Sequence, residues 1–287
     1  MRRPVPGVPI LAVPILAVPV LGVSILGMSV WGPGLEGWAV AVPVLAGLAA
    51  PGPGGVPLPP PTILPANERR RTGPVVRLAL AVASEAVAAA GLDPASLRSV
   101  FGSANGDGPV VGGILQALSA GSETEGRLVS PTQFSNSVHN GAAGYWSIAT
   151  GGGPSASCRS ATCLGAGDGT WAAALLTACT EVMEAQAPVL LVVYDHPLPP
   201  PLDVTRPITA PFAVALVLAP PGAGRDITVA FDAAPATDWL PSQSSLHRLA
   251  RGNPAAQSLR LLEHLARGDA GVCPAPYGAQ SVQVVVS

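Results

Sequence analysis

One run, residues 130–171, holds the residue types from which nucleophilic chemistry could be built: Cys163, Thr162 beside it, and His139 upstream. It reads SPTQFSNSVHNGAAGYWSIATGGGPSASCRSATCLGAGDGTW. It combines small residues, an Asn-Ser-Val-His-Asn cluster, a second cysteine at Cys158 and a glycine-rich entry into a helix. Glycine or alanine is needed where backbones or a ligand approach closely. A cysteine or threonine just ahead of a helix start lies where the positive end of the helix dipole favours a thiolate or an oxyanion. The run is therefore either a nucleophile elbow or the empty shell of one. A thiol also needs a base within hydrogen-bond reach, and His139 is the histidine near it in sequence. Three readings of His139 stay open: a structural residue bonding backbone beneath a helix start, a catalytic base, or an interface residue.

The elements that must position these residues come from a chain of 287 residues, 48% of them apolar, which is ample for one large domain or two modest ones. Charged residues are 11% and the net charge is -2, with every basic side chain an arginine, so no basic stripe exists to grip nucleic acid. The 33 prolines, 33 glycines and mean hydropathy of +0.44 imply irregular stretches around an Ala/Val/Leu core and a surface suited to a partner. Cys158, Cys163, Cys179 and Cys273 form neither CxxC pairs nor Cys/His metal spacings, so free thiols in a reducing cytoplasm are expected, with no metal and no cofactor.

Residues 1–22 repeat VPILA-like units with a five-residue period. Pro9, Pro14 and Pro19 would each cost roughly 3 kcal/mol inside a helix, so the segment reads as a low-complexity extension or an over-long start of the reading frame, with a targeting segment as the alternative. From Val23 the pattern predicts a buried strand, a Gly-Pro turn and a helix over 35–48. A Pro/Gly segment (51–65) follows, then a helix over Pro74–Ala90 stopped by Gly91, led in by Arg69, Arg70 and Arg71 as a solvated or interdomain salt-bridging collar, with a phosphate or carrier-protein dock as the alternative. A strand at 99–104 ends in the tight turn Asn105-Gly106-Asp107-Gly108, and helices are expected over 110–118, 141–149 and 165–185. Strands at 187–195, 210–219 and 226–233 precede one amphipathic helix at 245–268, and 282–286 forms a last short strand. Apolar strands alternating with helices predict an α/β layered fold with a largely parallel, buried sheet.

Three of these segments, in order, resemble the β-ketoacyl synthase family, and most closely its chain-length-factor-like members. VSILGMSVWGPGLEGWAVAVPVLAG is similar to the family's first strand, Pro-Gly turn and helix. NERRRTGPVVRLALAVASEAVAAAGLDP is similar to the helix that follows, and FSNSVHNGAAGYWSIATG is the most specific match. The resemblance covers residues 23–220 and implies a thiolase-like layered α/β/α fold, mainly the N-terminal half, with residues 221–287 as a shortened C-terminal segment. It implies that the nucleophile position, a cysteine at a helix start in catalytic members, falls within Ser160-Ala161-Thr162-Cys163-Leu164. Cys163 is the nucleophile if the register slips by one, and otherwise Thr162 stands there and the site is inert. The later histidine motifs, H-G-T-G-T and G-H-x-x-G, are absent; His247 and His264 lie on the amphipathic helix and His196 precedes a proline. The resemblance thus implies a non-catalytic subunit that pairs with an active ketosynthase and an acyl carrier protein in type II fatty acid, polyketide or aryl-polyene biosynthesis. The alternatives are an active synthase or acyltransferase using Cys163, and a truncated scaffold. Because the second half of a duplicated fold is missing, an uncovered sheet face or edge is expected, to be buried in a homodimer or heterodimer.

Overall fold

The computed structural model describes residues 20–120, 129–151 and 160–287. The expected extension 1–22 therefore lies outside the described residues except for its last three, and so does Cys158. The strands are β1 (Val20–Trp31), β2 (Arg98–Gly102), β3 (Ala161–Leu164), β4 (Val189–Asp195), β5 (Phe212–Ala219), β6 (Arg225–Asp232), β7 (Gly271–Tyr277) and β8 (Gln280–Val286). They form one sheet in the order β3-β2-β4-β5-β1-β6-β8-β7.

The apolar runs expected to be buried on both faces are so: every residue of β4 and β5 is buried. The expectation of a largely parallel sheet is not met. Among the described residues, the β2–β3 and β2–β4 pairs are parallel and the other five neighbouring pairs are antiparallel. Parallel neighbours need a crossover helix. After β4 the chain returns through the proline-rich loop 196–211, which has only a single 3-10 turn, so β5 comes back antiparallel. Apolar runs report burial on two faces, not strand direction.

Two helical layers enclose the sheet. On one face lies α3 (Pro74–Ala90), whose Val75, Leu78, Val82 and Ala86 are buried and which ends at Gly91 with φ 66. It follows α1 (Trp38–Leu45) and α2 (Ala66–Arg71), and runs across β1, β5 and β4. Gly27 of β1 lets α3 come so near that a Cβ there would collide with the carbonyl of Ala86. The same face takes in α6 (Gly141–Ala149), reached through α4 (Gly108–Ala120) and α5 (Pro131–Asn136). Opposite lies α7 (Thr170–Ala185), whose Trp171, Leu175 and Cys179 are buried against Val100, Leu191 and Leu216.

The C-terminal segment joins this second core. The single helix expected at 245–268 is two: α8 (Ser244–Gly252) and α9 (Leu259–Arg267), separated by a 3-10 turn, Pro254–Ser258. Pro254 cannot donate the helical hydrogen bond and its ring clashes with the preceding turn. Asn253 turns the break into an anchor. Its Oδ1 accepts from Ala255 N at 2.9 Å, while its Nδ2 donates to the carbonyls of Asp195 at 3.2 Å and Ala210 at 2.9 Å. β7 went unread in the sequence because it carries Pro274 and Pro276, and the structure resolves this by placing it at the sheet edge, where lost donors are tolerated.

Candidate functional site

The site is assembled where β3, β2 and β4 end side by side, the position at which open α/β sheets gather functional loops. The helix expected at 165–185 starts later. β3 occupies Ala161–Leu164, a turn follows at 165–169, and α7 begins at Thr170. Thr162 and Cys163 are therefore both strand residues and not helix-start residues, and strand alternation sends them to opposite faces.

Thr162 faces α7, where its Oγ1 donates to Glu181 Oε1 at 2.6 Å. Cys163 faces the other layer, against the core that holds Phe101 and Trp146. Burial pushes its thiol above the ordinary cysteine range, the opposite of what a thiolate nucleophile needs. Cys163 is a free thiol, and among the described residues no hydrogen bond reaches its sulfur.

His139 is brought to the end of β3, but as a backbone ligand. Its Nε2 lies 2.9 Å from the carbonyl oxygen of Leu164. A carbonyl only accepts, so Nε2 carries the proton and donates. The remaining ring atom, Nδ1, borders Gly106, where a Cβ would come within 3.3 Å of it. The other histidines are held locally: His196 Nδ1 lies 3.1 Å from the Pro197 carbonyl, His247 Nε2 is 2.9 Å from that of Pro241, and His264 Nδ1 is 2.7 Å from Asp269 Oδ1.

The strand-to-helix turn itself reads Gly165-Ala166-Gly167-Asp168-Gly169-Thr170. A Cβ on Gly165 would stand 2.7 Å from the Ser103 carbonyl oxygen, so no larger residue fits there. The Thr170 hydroxyl accepts from Ala166 N at 3.1 Å and donates to the Gly167 carbonyl at 2.7 Å. Asp168 is ion-paired with Arg206. The turn thus offers no free thiol or hydroxyl at the positive end of α7.

Sequence reasoning missed Asp195, at the end of β4. It is fully buried, and its Oδ1 accepts from Ser103 Oγ at 3.0 Å and Ala104 N at 2.8 Å, which fixes the ends of β4 and β2 together. Burial raises its carboxyl to about 7. The available signal was an acid closing an otherwise apolar strand, Leu-Leu-Val-Val-Tyr-Asp. Nearby, the Asn105-Gly106-Asp107-Gly108 turn behaves as read: Gly106 has φ 62, and Asp107 caps α4 by accepting from Val110 N at 3.2 Å.

A groove of about 400 Å³ runs between α2, α5 and α6, lined by Glu68, Arg71, Asn136, Val138, Tyr145 and Ile148. Arg71 pairs with Glu68 at 3.3 Å, Asn136 Nδ2 donates to the Arg71 carbonyl at 3.3 Å, and Tyr145 OH donates to Asn136 Oδ1 at 3.1 Å. Next to this bonded floor, Phe134, Val138 and Ile148 are 66%, 45% and 48% exposed.

The family model described as "Beta-ketoacyl synthase, N-terminal domain" matches residues 49–275. A comparison with curated proteins finds no match. Among solved structures, the complex of the ketosynthase ApeO with its chain length factor ApeC from Xenorhabdus doucetiae holds a chain similar to this one. The two share 25% identity and a TM-score of 0.68 over 92% of this chain and 99% of that one. The ishigamide ketosynthase/chain length factor gives 14% identity and a TM-score of 0.64 over 93% and 99% of the two chains. AntDE:AntF, a type II polyketide acyl-carrier protein in complex with its ketosynthase, gives 10% and 0.66, again over 93% and 99%. The latter two are likenesses of fold. Together they bear out the layered thiolase-like architecture.

Proposed function

The chain belongs to the β-ketoacyl synthase N-terminal domain family, and from that premise we propose that it is a non-catalytic, chain-length-factor-like subunit that works with an active ketosynthase and its acyl carrier protein in type II polyketide, fatty acid or aryl-polyene biosynthesis. One observation carries the reading. The turn between β3 and α7, where a helix dipole could activate a nucleophile, contains Gly165 to Gly169 and a fully engaged Thr170 hydroxyl, while Cys163 sits half-buried in the strand with its thiol raised and His139 committed to a backbone carbonyl. The likeness to a chain of a ketosynthase and chain length factor complex supplies the class of partner. In this reading Cys163 and Thr162 pack and pair, and His139 fixes the end of β3.

The test is acyl transfer from labelled acyl and malonyl carrier protein. The chain alone stays unlabelled, and a complex with its ketosynthase condenses equally well, within about twofold, when the chain carries Cys163→Ala. Label on the chain alone that disappears in Cys163→Ala overturns the proposal and establishes a condensing or acyl-transfer enzyme.

A further inference from the structure

Beyond the turn that lacks a nucleophile, the chain forms a second cleft, of about 490 Å³, lined by residues that follow β3 (Asp168) and β4 (Arg206) and by the C-terminal segment, among them Trp239, Arg251, Gln257 and Pro276. Its polar lining is arranged in an unusual way. Arg206 is ion-paired to Asp168, whose side chain is 83% exposed. Arg251 is exposed and has no ion pair among the described residues. The amide oxygen of Gln257 is buried without a hydrogen-bond partner. Trp239 is half-buried, packed against the core and bordering the cleft.

Each feature asks for something from a ligand. An unpaired guanidinium and a second one held only by an exposed carboxylate together suit an anionic head, because a planar guanidinium presents paired donors to carboxylate or phosphate oxygens. An ion pair this exposed contributes little, so an incoming anion can take the place of Asp168 on Arg206. The 16-residue helix α7 starts two residues after Asp168, and its positive end adds to the same preference. An indole beside prolines gives an apolar wall for a flat or acyl body. A buried amide oxygen without a partner is costly unless a donor reaches it. The location agrees, since ligands of α/β sheets gather beyond the carboxyl ends of the parallel strands.

We infer that this cleft binds a small organic anion, a carboxylate or phosphate head held between Arg206 and Arg251 with an aromatic or acyl body against Trp239, and that Asp168 is the internal carboxylate the ligand displaces. The inference does not rest on pairing with a ketosynthase. It stands or falls separately from the labelling experiment above.

Calorimetric titration of the full-length chain with phenyl phosphate, benzoate and benzyl alcohol tests it. Binding of either anion, weakened by added salt, with no measurable binding of the neutral alcohol, is the expected result; whichever anion binds more tightly identifies the head group. Arg206→Gln and Arg251→Gln each weaken binding about tenfold or more, and Trp239→Phe weakens it less. Asp168→Asn tightens it about threefold by releasing Arg206, a gain that only a folded protein can show. Equal binding of benzyl alcohol, no binding of either anion, or unchanged affinity in the arginine variants at an unchanged melting temperature overturns the inference.

Discussion

Asp195 shows what single residues contribute here that spacing alone could not announce. Its carboxyl is raised to about 7 by burial, against about 3.9 for an exposed aspartate. The folded state therefore holds its proton more tightly than the unfolded chain does. Stability from this group is fully present below about pH 4 and is lost as pH rises through about 7, an effect on the order of 4 kcal/mol. Asn at this position keeps an oxygen for Ser103 Oγ and Ala104 N but carries no titrating proton. Urea unfolding of Asp195→Asn at pH 5 and pH 8 should therefore give nearly equal stabilities, whereas the parent chain is less stable at pH 8; parallel pH profiles for the two proteins would refute the assignment. The candidate nucleophiles had the opposite history. Cys163, Thr162 and His139 were all legible as residues, but their roles were not. A one-residue question of register in Ala161-Thr162-Cys163-Leu164 decides which face of the sheet each side chain meets, and only the pairing of Phe101 with Cys163 and of Val100 with Thr162 answers it.

At the scale of elements, the sequence announced those whose local signals agree. Helix α3 begins at Pro74 and stops at a left-handed Gly91, as read, because a proline at the first turn and a glycine beyond the last are both local, steric signals. The elements misread are those fixed by distant partners. Pro254 broke the expected C-terminal helix, and its break persists because Asn253 bonds to the carbonyls of Asp195, at the end of β4, and of Ala210, in the loop before β5. β7 is a strand despite two prolines because, among the described residues, it pairs with β8 alone. Another long-range link offers a test. Glu85 of α3 accepts from Ser29 Oγ of β1 at 2.6 Å and from Trp38 N, the first residue of α1, at 2.8 Å. Three elements thus meet on one carboxylate, and Ser29 is fully buried. Glu85→Ala leaves both donors without an acceptor and is expected to cost about 1–3 kcal/mol. Adding Ser29→Ala should recover part of that loss, because the orphaned hydroxyl goes with it. If chemical denaturation finds the two substitutions simply additive, the carboxylate is not the link between these elements.

For the whole molecule, the two ends of the sheet differ in a way that bears on partnership. β7, at one end, carries Pro274 and Pro276, which remove backbone donors and so discourage pairing with another strand. β3, at the other end, is a four-residue edge without proline. Its Cys163 packs against the core that holds Ala142, Ala143 and Trp146 of α6, and Phe134, Val138 and Ile148, on α5, the turn after it and α6, are exposed. Scattered exposed apolar residues are ordinary, but Val138 and Ile148 both line the groove beside Tyr145, and Phe134 lies on α5, which also lines it. The opposite surface of α6, with Ala142, Ala143 and Trp146, is already buried in the core. A ketosynthase subunit seated here would cover the β3 edge, which pairs with no further strand among the described residues, together with the apolar side chains, and would leave the guarded β7 edge free. A charge placed at Val138 or Ile148 would have to be desolvated in that interface and would find no partner there. In the free chain it would stay in water at little cost. Val138→Asp and Ile148→Asp should each therefore weaken the complex with a co-expressed ketosynthase at least about tenfold in sedimentation or titration measurements. Their melting temperatures as free chains should match the parent's. A comparable charge at Val272, 53% exposed on β7, should leave the complex intact; loss of pairing from Val272→Asp with retention in the other two would place the interface at the opposite end of the sheet.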